Sequence, residues 1–187
     1  MAKQNNKAYI IPFGGSCPIG CLGYVKCAEE IISQAKNNNV NIDAIVVANG
    51  SSGTHAGLLA GFKALKSDIK VYGYCVVQDK DSTIALTQEL ANKTLEFLGY
   101  DVDIKKSDVL MNDNCLGNGY GIQTSDAKKS IKLMAKNEGI FLDPVYTGKA
   151  LSGFIKDIYD KKFTKKQNIV FIHTGGLPGL FAYQGIL

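Results

Sequence analysis

At 187 residues the chain is long enough to bury one sizeable core, and 45% hydrophobic with 20% charged residues is the balance of a globular protein. The net charge of +4 comes entirely from lysine, with no arginine present, and the lysines are interspersed with acids. Base readout and bidentate phosphate clamps favour arginine, so a nucleic-acid partner is not expected. No apolar run reaches the roughly 20 residues of a bilayer span, and no signal-type apolar region follows the polar start, which points to a cytoplasmic protein without a membrane partner.

In chain order, Tyr9-Ile-Ile-Pro-Phe reads as a short strand before Gly14-Gly15-Ser16. Pro18 suits the first turn of a helix whose apolar face runs through Leu22, Val25, Ala28, Ile31 and Ile32, ending at Asn37-Asn38-Asn39. Strand 44–48 leads into a glycine-serine loop and a helix from Thr54 to about Lys66. A continuous apolar run over 71–77 reads as a strand buried on both faces, and 82–98 as an amphipathic helix. Residues 111–124 carry the composition of a loop. Helix 127–138 follows, capped by Ser125 or Asp126 and stopped at Gly139. A helix from Gly148 to about Tyr159, a strand over 168–173 and a turn over 178–183 complete the chain. Alternating strands and helices predict an α/β fold, an open and mostly parallel sheet with helices on both faces.

Three glycine- or proline-rich loops, 49–54, 143–148 and 174–176, follow predicted strands, and in such sheets ligands gather beyond the carboxyl ends of strands. The first of them, Gly50-Ser51-Ser52-Gly53-Thr54, joins a strand to a helix N-terminus. Its leading amides have no helical acceptors, the glycines allow close approach and the hydroxyls add donors, so an anion such as phosphate fits without a cationic side chain. Tyr120 and Tyr146 are candidate phenols for stacking and proton transfer. Thr147 and Thr174 offer neutral hydroxyls to a heteroaromatic nitrogen or, alternatively, to a helix cap. Asp143 before Pro144 reads as a turn residue, and His55 and His173 as structural hydrogen-bonding groups. The five cysteines, odd in number and widely spaced, read as reduced thiols, and no metal set accompanies Cys17 and Cys21.

Five motifs stand in a telling order: Ile10-Ile-Pro-Phe-Gly-Gly-Ser16, Gly50-Ser-Ser-Gly-Thr-His-Ala-Gly57, Gly119-Tyr-Gly121, Leu142-Asp-Pro-Val-Tyr-Thr-Gly-Lys-Ala150 and His173-Thr-Gly-Gly176. On these the chain resembles the C-terminal part of D-cysteine desulfhydrase and the related aminocyclopropane-carboxylate deaminases, pyridoxal-phosphate enzymes of the tryptophan-synthase-β-like fold. The resemblance implies that Gly50, Ser51, Ser52, Gly53 and Thr54 hold the cofactor phosphate. It implies that Thr147, Thr174 and Gly175 lie by the pyridine ring, and that Tyr120 and Tyr146 act on the substrate side. Thr147, where the deaminases carry Glu, resembles the desulfhydrase branch. Asn49 departs from the small residue usual there.

The resemblance also implies that residues 1–187 form one cofactor-binding large domain, with the small-domain segment that carries the Schiff-base lysine outside these residues. Lys149 is not that lysine. The expected partners are a small amino-acid substrate, a polypeptide supplying the N-terminal half and further copies in a homo-oligomer. The expected reaction is α,β-elimination of D-cysteine, with little turnover by this chain alone. The alternatives are a non-catalytic phosphate-ligand module and an inactive relic.

Overall fold

The structure, a computed structural model, describes residues 8–183 and Gly185. Four strands form one sheet: β1 (Ala44–Asn49), β2 (Lys70–Cys75), β3 (Leu110–Asn112) and β4 (Ile169–Phe171). They lie in the order β3-β2-β1-β4 with every pair parallel, so all four carboxyl ends share one edge. β1 and β2 are the two inner strands, and β1 is buried along its whole length.

Alternation along β1 sorts the core into two layers. Ile45 and Val47 face a cluster built with Leu58, Leu59 and Phe62 and with Leu90 and Leu95. Three helices cover that face: α1 (Pro18–Asn37), α2 (Gly53–Ala64) and α3 (Lys80–Phe97). Val46 and Ala48 face the other way, against Tyr74, Val76 and Ala150. That side is covered by α5 (Thr147–Tyr159), with α4 (Ser125–Glu138) packed on it and α6 (Leu177–Ala182) near the chain end. This is the expected α/β architecture, with helices on both faces of a parallel sheet.

Two glycines bring α1 and α2 unusually close. A Cβ on Gly57 would stand 2.6 Å from the Cys21 carbonyl oxygen, and one on Gly61 2.7 Å from the Ala28 methyl. Four residues apart, they form a smooth stripe on one helix face.

Local readings fail in several places. The turn expected over 178–183 is the helix α6, and no strand leads into the 143–148 loop among the described residues. Tyr9–Pro12 is not a strand: the segment is exposed and pairs with no neighbour among the described residues. β-propensity without a ladder partner leaves backbone groups to water. The 111–124 loop begins inside the short strand β3, too brief to show a period of two. The α4 cap is Thr124, one residue earlier than expected, whose side chain accepts from the Ala127 amide.

Candidate functional site

The end of β1 makes its loop by a backbone conformation that L-residues avoid. Ser52, the residue before α2, sits at φ 70°, in the left-handed region that costs about 1–2 kcal/mol for a residue with a Cβ. Its hydroxyl does not cap the helix. Among the described residues, the amides of Ser51, Ser52, Gly53, Thr54 and His55 find no hydrogen-bond acceptor, and the first helical bond of this region runs from Ala56 to the Ser52 carbonyl. Residues 48–55 enclose a hollow of about 30 Å³. Five free amides around a hollow at a helix N-terminus make an anion cradle.

Ser51 is held from outside the loop by Ser16, whose hydroxyl lies 2.8 Å from its own. The cradle is also tight where glycine is required. A Cβ on Gly53 would stand 2.7 Å from Ser16 Oγ, and one on Gly50 3.3 Å from the Tyr146 ring.

Beneath the loop lies a buried polar cluster. Ser52 Oγ donates to Asn49 Oδ1 over 3.2 Å, and Thr87 Oγ1 of α3 stands 2.9 Å from Ser52 Oγ. Asn49 Nδ2 is 3.2 Å from both Thr87 Oγ1 and His55 Nδ1. His55 Nε2 is 3.2 Å from the Val71 carbonyl, so the proton belongs on Nε2 and Nδ1 accepts from Asn49. Burial pushes the His55 imidazole down to about 4, which keeps it neutral. Room for the ring comes from Gly73 on β2, where a Cβ would strike the imidazole.

The second loop is organised by Asp143. Its buried carboxylate accepts from the amides of Val145, Tyr146 and Thr147, at 2.7–2.8 Å, and from the Thr147 hydroxyl at 2.6 Å. The turn reading of Asp143 thus extends to capping α5. Thr147 is fully buried in this turn, its hydroxyl also accepting from the Asp143 amide at 3.0 Å. Its hydroxyl caps no helix amide and instead closes the Asp143 turn, accepting from the Asp143 amide and donating to the Asp143 carboxylate. Gly176 of the third loop, at φ 89°, packs so closely that a Cβ there would lie 2.7 Å from the Asp143 carboxyl carbon. His173 fixes the same loop, Nε2 donating to the Phe141 carbonyl at 2.8 Å and Nδ1 accepting from the Gly175 amide.

The three loops meet around a cavity of about 210 Å³, whose walls include Gly50, Ser51, Thr54, Tyr146, Thr174 and Gly175. Tyr24 of α1, Ala48 and Gly176 complete it, and no lysine is among these residues. Ser52 and Gly53 stand behind the wall, in the smaller hollow. Tyr120 reaches the site through Tyr146: their hydroxyls are 2.6 Å apart and their rings meet edge to face. Burial, then the hydrogen bond with Tyr120, pushes the Tyr146 phenol up to about 12. Tyr146 is therefore a protonated phenol at neutral pH.

Lys149 does not reach the cavity. Its ammonium donates to the carbonyls of Leu116 at 2.9 Å and Gly119 at 2.8 Å, anchoring the loop that carries Tyr120, and burial lowers its pKa. Asn49 and Thr87 escape a reading of local pattern. They are polar residues on a buried strand and a buried helix face, and their link spans 38 positions of sequence.

A family model described as pyridoxal-phosphate dependent enzyme matches residues 1–175. The chain belongs to that family, and pyridoxal phosphate is the cofactor of its fold. A crystal structure of an ACC deaminase homologue is 38% identical, with a TM-score of 0.87, over 97% of this chain and 53% of that one. O-acetyl serine sulfhydrylase isoform 3 from Entamoeba histolytica shares the fold at 20% identity and TM-score 0.55, over 89% of this chain and 46% of that one. The processed form of threonine deaminase isoform 2 from Solanum lycopersicum shares it at 18% identity and TM-score 0.54, over 88% and 48%. The chain thus spans about half the length of these structures.

The residues present fit the cofactor. Free amides and the Ser51 and Thr54 hydroxyls would supply donors for its phosphate, Gly50 leaves space that a Cβ would narrow, and Tyr146 and Thr174 place a ring and a neutral hydroxyl on the cavity wall.

Proposed function

We propose that this chain is the cofactor-holding large domain of a pyridoxal-phosphate lyase acting on D-cysteine, with the anchoring lysine contributed by polypeptide outside residues 1–187. The observation that carries this reading is the convergence of the three loops on a cavity with an anion cradle at one end, a phenol pair at its side and no lysine in its wall. The reaction is α,β-elimination, D-cysteine and water giving pyruvate, ammonia and hydrogen sulfide. Pyridoxal phosphate supplies the electron sink for loss of the α-proton and the thiolate.

The chain's own groups have separable tasks. Ser51, Ser52, Gly53 and Thr54 bind the phosphate through amides, with the Ser51 and Thr54 hydroxyls added; Ser52 contributes its backbone, since its hydroxyl is engaged inward. Thr174 hydrogen-bonds the ring nitrogen without adding charge, and Gly175 lets the ring lie close. Tyr146 keeps its proton at neutral pH and holds it, through Tyr120, where a leaving thiolate can take it up. Thr147 acts from behind by completing the Asp143 turn that aims Tyr146. The choice of D-cysteine over aminocyclopropane carboxylate rests on the neutral Thr147, where the resembling deaminases carry Glu.

The test is an absorbance titration of the purified chain with pyridoxal phosphate, alone and with a polypeptide supplying the N-terminal half. The reading expects a borohydride-reducible visible band, and pyruvate from D-cysteine, only in the mixture. Band and pyruvate from the chain alone would assign the covalent anchor to one of its own lysines. Cofactor binding without turnover in either sample would leave a phosphate-ligand module.

A further inference from the structure

α2 differs from α3 and α4 in how its first turn is treated. At α3 the Asp79 carboxylate accepts from the Ser82 amide, and at α4 Thr124 accepts from Ala127. Ser52 has a hydroxyl able to do the same for α2, yet that hydroxyl points into the buried cluster with Asn49 and Thr87. Two consequences follow. The helix amides stay free, and a residue whose backbone is unfavourable at φ 70° is tied down by its side chain.

The cluster has a tie outside itself, from Thr87 Oγ1 to the Thr83 carbonyl oxygen at 2.7 Å in its own helix. Asn49, Ser52 and Thr87 are mutually within 2.9–3.2 Å, each at most 2% exposed, and the fully buried His55 braces Asn49 against β2. Asn49 belongs to the last residue pair of the β1–β2 ladder, and Thr87 to the helix packed over it. The loop is therefore referenced to both the sheet and α3.

We propose that Asn49 and Thr87 are positioning residues of the phosphate cradle: by clamping the Ser52 hydroxyl inward they hold Ser52 left-handed and keep the amides of residues 51–55 available to an anion. The proposal rests on the pyridoxal-phosphate reading of the site. It assigns the cradle's shape to side chains that never touch the ligand. Serine at position 52 needs the clamp; glycine, which adopts positive φ freely, does not.

The experiment is a double-mutant cycle with Thr87→Val in two backgrounds, serine at 52 and Ser52→Gly, read by calorimetric titration with pyridoxal phosphate and with inorganic phosphate. Thr87→Val is expected to weaken binding about tenfold when residue 52 is serine and by less than about twofold in the Ser52→Gly background. Asn49→Ala is expected to follow the same pattern. Amide hydrogen exchange at residues 51–55, without ligand, supplies a second reading: faster in Thr87→Val, and insensitive to Thr87→Val once Ser52→Gly is present. Equal losses in both backgrounds would overturn the proposal, since a merely structural Thr87 would act whatever stands at 52. If the wild-type chain binds neither phosphate compound, the cofactor reading fails, and the exchange experiment alone decides whether the clamp exists.

Discussion

The hydroxyls of Tyr120 and Tyr146 lie 2.6 Å apart, joining a loop residue to the residue that precedes α5. Burial of Tyr146, then this bond, raises its phenol from 10.0 to about 12. In the folded chain Tyr146 therefore stays protonated between about pH 10 and 12, a range in which an unfolded tyrosine ionises. Its contribution is present below pH 10 and is lost as pH rises through 12. NMR of chain carrying ring-labelled tyrosine should show Tyr146 as a phenol at about pH 10.5. In Tyr120→Phe the same resonance should start to shift there. A resonance that ionises at the ordinary tyrosine value in the wild type would remove the bond from the argument.

Asp143 carries more of the site than its place in a turn suggests. Its carboxylate accepts four hydrogen bonds, and three come from backbone amides of the segment that presents Tyr146. Asp143→Asn substitutes an amide group that must turn one donor toward those donors. We expect a loss of about 2–3 kcal/mol in urea unfolding and weaker pyridoxal-phosphate binding. Thr147→Val removes one hydroxyl from the same turn and should cost less. Equal costs for the two would show that the backbone amides, rather than the hydroxyl, are unimportant to the turn.

Such a turn shows what sequence alone discloses. The β1–loop–α2 unit was legible because apolar runs, glycines and hydroxyl residues adjoin one another, and the parallel sheet because strands and helices alternate. The convergence of three loops could be anticipated from the shared edge, but their contents could not. Thr147 lies buried behind Asp143, while Thr174, also a threonine after a strand or loop, stands in the cavity wall. Only tertiary packing distinguishes them. Tyr9–Pro12 has strand composition without a strand to pair with, and Thr87 meets Ser52 across 35 positions. No local period encodes either fact.

His55 links stability to pH. Its imidazole is lowered from 6.5 to about 4 by burial, so between those values the unfolded chain binds a proton that the folded chain refuses. Stability is therefore complete above pH 6.5 and falls as pH drops toward 4, by about 3 kcal/mol in total. Protonation would also turn Nδ1 into a donor facing the Asn49 amide donor, opening the cluster beneath the cradle. Urea unfolding from pH 7 to 4 measures the slope, and His55→Gln, which cannot titrate, should flatten it. An unchanged slope in that variant would place the linkage elsewhere.

The α1–α2 seam tests packing apart from the site. Gly57 and Gly61 face α1 so closely that a single added methyl meets the Cys21 carbonyl oxygen or the Ala28 methyl at under 3 Å. Neither contact is with the flexible end of a long side chain, so the helices must separate. Alanine in a helix interior is otherwise favoured over glycine by about 1 kcal/mol, and overpacking costs about 1–3 kcal/mol. Gly57→Ala should thus lower stability despite better helix propensity, by up to about 2 kcal/mol net. Gly23 supplies the control: it lies on α1 with nothing within 4 Å of an added Cβ, so Gly23→Ala should stabilise the chain. Thermal unfolding of the pair separates the two effects. If Gly57→Ala also stabilises, the helices are not held at the distance that brings α2 and its leading amides onto the end of β1.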